Sequence, residues 1–422
     1  MSEREVVVFF LELAALLGVG LLAKVVTQRL GLQTIFGELI GGILLGPTLF
    51  GALAPDWFGW LFPTGGPITA ARTGVIQLGM LFFLLMAGME LNYLQAHRLR
   101  AAIGWTSLCG LVLPFALGFG AAIALPGLWG SHPAGKSLVF ALFLGTALAI
   151  SALPVIARIL MDMNLLRSEI GTVVMAAAMI NDVIGWTLFA VILSNFVAGG
   201  ATAANPWRSL LFVGVLWLVM LLLRPLAQRA LRRQPEPAPG WGNLVGLAAL
   251  AVLIFGALAE SVGVHSFLGA FLVGIALSPN SAKANPGQEA VQQFVVHFFA
   301  PIYFVSVGLQ ANFVANFDLA MVVVIVLVAC LGKVAGATLG ARLGKLPARK
   351  ALAVGFGMNA RGAMEIVLAS VALQYGLIDQ RIFVALIIMA VVTSLISGPA
   401  MQRLLVARPI EAAGYSLPAK PV

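Results

Sequence analysis

The chain has 422 residues, 61% of them hydrophobic and 10% charged, with a formal net charge of +9 and a mean hydropathy of +1.02. No soluble domain carries that balance, so the composition excludes a soluble enzyme or binding module and points to an all-α polytopic membrane protein built as one unit. The Lys and Arg excess would suit a nucleic-acid binder, but those residues are spread over short loops rather than gathered into a patch, and that reading is set aside.

Cutting the apolar runs at Gly, Pro and charge predicts thirteen helices, centred near residues 14, 41, 81, 111, 148, 182, 217, 250, 271, 302, 328, 361 and 392. The opening MSEREVVVFF lacks a basic region and a small-residue cleavage site, so the first run is expected to be retained. Glu12 and Glu38 fall in the first and second helices. The fifth helix, ALFLGTALAISALPVIARIL, crowds Thr146, Ser151 and Pro154 into a run otherwise suited to a straight helix, and is expected to be interrupted. The sixth runs from Ile170 to Phe196 and carries AMINDVIGW (178–186) at its middle, which places Asn181 and Asp182 halfway across. A carboxylate there costs about 3 kcal/mol on insertion scales, so a chain that keeps one uses it to bind ions or relay protons. Asp182 is therefore the first candidate functional residue.

Near mid-chain, RRQPEPAPGW (232–241) reads as an extended cytoplasmic linker. On either side of it the sequence repeats. GELIGGILLGP (37–47) and GAFLVGIALSP (269–279) share Gly37/Gly269, Gly42/Gly274, Ile43/Ile275, Leu45/Leu277 and Pro47/Pro279. They lie seven helices apart, and an odd offset inverts the second copy in the membrane, an arrangement that transporters use with ion sites at the repeat interface. The same offset links the fifth helix with the twelfth, VGFGMNARGAMEIVLAS, where Gly355, Gly357, Asn359, Gly362, Arg361 and Glu365 predict a second interruption. Arg361 and Glu365 stand at i and i+4 and are expected to pair along one helix face. Lys333 lies inside the eleventh helix; its expected partner is Asp182, with backbone carbonyls of a broken helix as the alternative. Cys109 and Cys330 sit in apolar runs and read as packed thiols.

Alternating the loops puts most of the basic residues on one side, among them Arg98, Arg100, Arg224, Arg232, Arg233, Arg342, Lys345, Arg349 and Lys350. The other side holds Arg4, Arg72, Lys136, Arg208 and Arg381. The C-terminus is therefore expected in the cytoplasm and the N-terminus outside. His97, His132, His265 and His297 read as loop or helix-flanking residues.

Seven segments in order, GELIGGILLGP, LGMLFFLLMAGMELN (78–92), TALAISALPVIARIL (146–160), GTVVMAAAMINDVIGW (171–186), GAFLVGIALSP, PIYFVSVGLQANF (301–313) and MNARGAMEIVLA (358–369), resemble the monovalent cation:proton antiporter-2 family over residues 8–405. The resemblance implies about thirteen transmembrane helices, an inverted repeat with two crossed broken helices, a core, a dimerisation domain, and elevator-type exchange of Na+ or K+ for H+ in a bacterial inner membrane. It assigns residues 1–95 and 240–315 to dimerisation and scaffold helices and 100–196 and 317–405 to the core. Residues 207–239 become a linker helix and cytoplasmic loop, and 406–422 a short cytoplasmic tail with no nucleotide-binding regulatory domain expected behind it. Glu38 falls in a segment of the dimerisation side and is expected at an interface or funnel rather than at the ion. Carried over by position, Asp182 resembles the ion-binding aspartate, Thr146 the hydroxyl of the first broken helix and Lys333 the intramembrane basic residue. Electrogenic members carry Asp-Asp where this chain has Asn181-Asp182, and the eukaryotic exchanger branch often has an acid at the position of Ala147. A single carboxylate resembles the electroneutral one-for-one type, whereas a lysine at 333 resembles the Asp-Asp branch.

Exchange requires one group that takes a proton or a cation but not both, and desolvation favours a carboxylate's neutral form enough to make H+ a competitor. Asp182 and Thr146 are the expected direct ligands of the monovalent cation, with Asn181 and Ser151 as further cation or proton contacts and Lys333, Arg361 and Glu365 as supporting charges. Small hydroxyls also serve plain helix packing, so Thr146 and Ser151 carry either reading. No cofactor, catalytic dyad or zinc-ligand spacing is expected, and the partners are monovalent cations, protons, the bilayer and a second copy. A cation channel lacks support, since no filter-like loop is present; a sodium-coupled symporter of a small organic solute remains the alternative.

Overall fold

At membrane depth no water is available to satisfy the backbone, so an apolar chain must bond its own N–H and C=O groups and folds as helices. The computed structural model describes residues 2–29, 34–89, 99–130, 137–163, 165, 168–197, 206–232, 241–261, 266–278, 286–310 and 312–406, and among these no strand occurs. The linker residues 233–240, the tail 407–422 and His97, His132 and His265 lie outside the described residues.

In chain order the helices are α1 (Glu3–Arg29), α2 (Thr34–Leu45), the short α3 (Phe50–Leu53) and α4 (Pro55–Leu61), α5 (Gly66–Met89), α6 (Arg100–Ala124) and the short α7 (Pro126–Trp129). Then come α8 (Ser137–Ala149), α9 (Leu153–Asp162), α10 (Glu169–Val197), α11 (Pro206–Arg232), α12 (Trp241–Ser261) and α13 (Ser266–Leu277). α14 (Pro286–Phe294) continues through a π-helical turn (Val295–Phe299) into α15 (Ala300–Gly308), and α16 (Leu319–Leu343), α17 (Ala348–Met358), α18 (Ala363–Gln374) and α19 (Gln380–Val406) complete the chain. Eight helical stretches among the described residues are long and apolar enough to cross a membrane, and shorter apolar helices stand between them in the chain, among them α8 and α13. Both expected interruptions are present: residues 150–152 part α8 from α9, and residues 359–362 part α17 from α18. Every expected helix centre falls on a helix except 361, which falls in the second break.

Packing repeats with the sequence. α2 lies on α15 as α13 lies on α5. A Cβ on Gly42 would stand 2.1 Å from the Val305 carbonyl oxygen and one on Gly308 2.5 Å from that of Leu39; in the other copy, Gly274 would meet Leu85 at 2.2 Å and Gly88 would meet Phe271 at 2.3 Å. Each crossing is thus made by a reciprocal glycine pair that lets backbones touch, the usual way helices associate where lipid competes for apolar surface. α6 and α16 also touch backbone to backbone, here with glycines on one side: Gly336 and Gly340 of α16 leave no room for a Cβ against the carbonyls of Cys109 and Trp105.

The contacts sort the helices into two groups. α1, α2, α5, α12, α13 and α15 pack among themselves, as do α6, α8, α10, α16, α17 and α19. Where the groups meet, Trp186 of α10 stacks edgewise on Phe267 of α13 at 5.4 Å and lies 6.3 Å from Phe271. Arg72, expected in a loop, is instead a residue of α5, because that helix begins at Gly66. It pairs there with the buried Glu12 of α1.

The glycine geometry predicts that Gly42→Val lowers stability by about 3 kcal/mol through forced backbone separation, whereas Gly18→Val, with open space around its Cβ, stays within about 0.5 kcal/mol. Thermal unfolding of the two detergent-solubilised variants, followed by size-exclusion profile, checks the contrast.

Candidate functional site

An interrupted helix leaves carbonyls without partners at one lip of the break and N–H groups at the other. In this fold the two breaks cross and supply part of each other's needs. The Ser151 hydroxyl donates to the Met358 carbonyl at 3.1 Å and the Ala152 amide to the Ala360 carbonyl at 3.2 Å. In return, Arg361 reaches over from the second break and donates to the carbonyls of Ala147 (3.1 Å) and Leu148, the end of α8. Lys333 of α16 donates to the next carbonyl, Ala149. Two cations therefore sit at the negative end of a half-helix, where its dipole favours them.

Arg361 also pairs with Glu365, both side chains being buried. The expected pair exists, but not along one helix face: Arg361 belongs to the unwound link, and Glu365 caps α18 by accepting from the Gly362 amide at 3.1 Å. Ser394 of α19 closes the link, accepting from the Arg361 amide at 3.0 Å and donating to its carbonyl.

Asp182 of α10 is 1% exposed. The amides of Ser151 and Leu153, at the start of α9, face its carboxylate, but neither oxygen closes a hydrogen bond. Lys333 stands near enough to act on it through space. The ion pair expected between the two is not formed: Lys333 takes the alternative, the broken-helix carbonyl. Its second acceptor is Asn181. In the amide orientation that satisfies both ends of that side chain, Nδ2 donates to the Ser107 carbonyl (3.1 Å) and hydroxyl (2.7 Å) and Oδ1 accepts from Lys333 at 3.3 Å. The buried Thr146 donates to the Leu142 carbonyl at 2.8 Å, which leaves its oxygen lone pairs for another partner. Asn359, at the end of α17, donates to the Cys330 sulfur at 3.6 Å while its buried Oδ1 has no partner. Both cysteines are free thiols.

The structure thus gathers Asp182, Asn181, Ser151, Lys333, Arg361 and Glu365 around the crossing, with Thr146 one turn back on α8. Glu12 and Glu38 are buried on the other group of helices, away from it. Ser107 and Ser394 do not stand out in the sequence. Serines inside apolar helices carry no mark that separates a ligand holder from packing. Asn359 was legible only as part of a break.

An unpartnered carboxylate beside two crossed helix breaks in an inverted repeat is an arrangement that secondary transporters use. The chain belongs to the sodium/hydrogen exchanger, transmembrane, family, whose profile matches residues 13–407. Cation/H(+) antiporter 18 of Arabidopsis thaliana is 33% identical over 373 residues, 87% of this chain and 45% of that one. Na(+)/H(+) antiporter NhaS4 of Synechocystis is 29% identical over 413 residues, covering 96% of this chain and 98% of the relative. The chain spans about half the length of the Arabidopsis proteins it matches. The sodium proton antiporter MjNhaP1 from Methanocaldococcus jannaschii shares the fold, with a TM-score of 0.66 over 94% of this chain and 96% of that one at 17% identity.

The fork of Arg361 serves three acceptors, which one ammonium cannot reproduce. Arg361→Lys is expected to cost about 1–3 kcal/mol of stability through unpaired buried carbonyls. The melting temperature in lipid nanodiscs reads this directly, and an unchanged value would remove Arg361 from the framework.

Proposed function

We propose that the protein exchanges Na+ or K+ for H+ by alternating access of Asp182 to the two faces of the membrane. The single observation that carries this reading is the Asp182 carboxylate, buried, with both oxygens unpartnered, facing the amides at the start of α9. A carboxylate held like this needs a positive guest, and H+ and a metal ion cannot occupy it together. Oxygens of Thr146 and Ser151 are the further ligands proposed for the cation.

The charges favour one-for-one exchange. With Asp182 and Glu365 ionised and Lys333 and Arg361 protonated, the empty site sums to zero. Loading with either H+ or one monovalent cation gives the same +1, so both loaded forms cross the membrane at equal electrical cost. Lys333, held by Ala149 and Asn181 rather than by Asp182, acts as a fixed charge in this scheme.

In the proposed cycle the helices around α6, α8–α10 and α16–α19 form the moving core, and α1, α2, α5, α12, α13 and α15 the scaffold through which two copies associate. In this reading the protein lies in the inner membrane with its N-terminus outside, because alternating the loops along the chain assigns Arg224, Arg342, Lys345, Arg349 and Lys350 to the cytoplasmic side. NhaS4, which matches this chain along its full length, carries a Na+/H+ antiporter name. The symporter alternative finds no support among the relatives.

In proteoliposomes with an acid interior and a pH-sensitive dye, addition of Na+ or K+ is expected to drive proton efflux, and Asp182→Asn to abolish it. Clamping the membrane potential with K+ and valinomycin at different values is expected to leave unchanged the Na+ gradient at which net proton flux reverses. A reversal point that shifts with the potential would refute the one-for-one stoichiometry, and exchange by the Asn variant would refute the site.

A further inference from the structure

The loop that joins α15 to α16 is fastened to both groups of helices. On one side the Phe313 amide donates to the Thr48 hydroxyl at 3.0 Å and Asn312 Nδ2 to the Pro47 carbonyl at 3.4 Å, just beyond α2. On the other, Gln380 of α19 donates to the Gln310 carbonyl at 3.3 Å and accepts from Asn316 Nδ2 at 2.8 Å. Between them the Gln310 side chain engages Ser370 of α18: Nε2 lies 3.2 Å from the serine oxygen, which lies 3.3 Å from Oε1. Ser370 is 4% exposed. The buried phenol of Tyr303 on α15 faces the same hydroxyl without closing a hydrogen bond.

Beside this contact the seam is loosely filled. A cavity of about 410 Å³ has Gln77, Met80 and Phe267 on its scaffold wall and Val371, Gln374 and Tyr375 on its α18 side. The Gln310–Ser370 contact thus stands next to apolar packing on α18, where Val371 and Ala372 are buried.

We infer that Gln310 and Ser370 form a clasp between scaffold and core that opens and closes once in each transport cycle, making both positioning residues for exchange. The inference rests on the moving-core reading above. A hydrogen bond between amide and hydroxyl across the seam is made only while the two sides are together, so its opening biases the equilibrium between the two access states. Tyr303, whose hydroxyl faces Ser370, is poised to take over that contact when Gln310 leaves.

Two measurements test it on the full chain in proteoliposomes sorted by orientation. Ser370→Ala is expected to change the cation KM about three-fold in opposite directions at the two faces, the size of one interhelical hydrogen bond, while Ser370→Thr, which keeps the hydroxyl, restores the wild-type ratio. Loss of maximal rate with both KM values unchanged, and no rescue by Thr, would mean a merely structural serine and overturn the clasp. Second, Gln310→Cys with Ser370→Cys, tethered by a short bifunctional thiol reagent and verified by mass, is expected to stop exchange, with reduction restoring it. Full-rate exchange by the verified tethered protein would overturn the clasp. Wild-type exchange measured alongside separates this failure from failure of the antiport reading, which would show as no exchange in any preparation.

Discussion

The rest of the structure depends on how two interrupted helices satisfy their exposed backbone ends in a place without water. Each unmet group there costs several kcal/mol, and the crossing meets them by exchange. The last carbonyls of α8 are taken by Arg361 and Lys333, and at the second break the carbonyls of Met358 and Ala360 are taken by the Ser151 hydroxyl and the Ala152 amide. What the exchange leaves open is the start of α9, whose amides face Asp182. The positive end of a half-helix suits a carboxylate, and the carboxylate in turn is left with room for a cation.

The inverted repeat explains why one break is closed and the other open. α10 and α19 are related by the same offset as the two broken helices, and each places a polar side chain against a break. On α19 that side chain is Ser394, which closes both backbone groups of Arg361. On α10 it is Asp182, which closes nothing. One repeat therefore keeps its break rigid while the other keeps its break available, and the reciprocal glycine crossings of α2 with α15 and α13 with α5 hold the two halves in register. Function here comes from a departure from symmetry within a symmetric frame.

Much of this was legible in the sequence because the bilayer makes polar residues conspicuous. Asp182 and the two breaks stand out against apolar runs, and the Gly42/Gly274 match located the repeat whose crossings the structure shows. The partners of the charges were not legible. Whether Lys333 meets a carboxylate or a carbonyl depends on contacts far apart in the chain, and the helix-end carbonyls of α8 carry no sequence signature. Arg361 and Glu365 were spaced for a helix-face pair, but the break that frees Arg361 also turns its fork toward α8. Alternating the loops put Arg72 outside a helix; α5 instead starts at Gly66 and brings Arg72 to the buried Glu12. Ser107 and Ser394 are ordinary serines until the fold puts them next to Asn181 and Arg361.

The account reduces to mutual exclusion at one carboxylate. Its most direct test needs no membrane: titrate the purified, weakly buffered protein with NaCl or KCl at constant ionic strength and record proton release with an indicator dye alongside calorimetric binding. The account predicts one proton released for each cation bound near the pH where Asp182 is protonated, with no release from Asp182→Asn. Cation binding without proton release, or release that survives in the Asn protein, would contradict it.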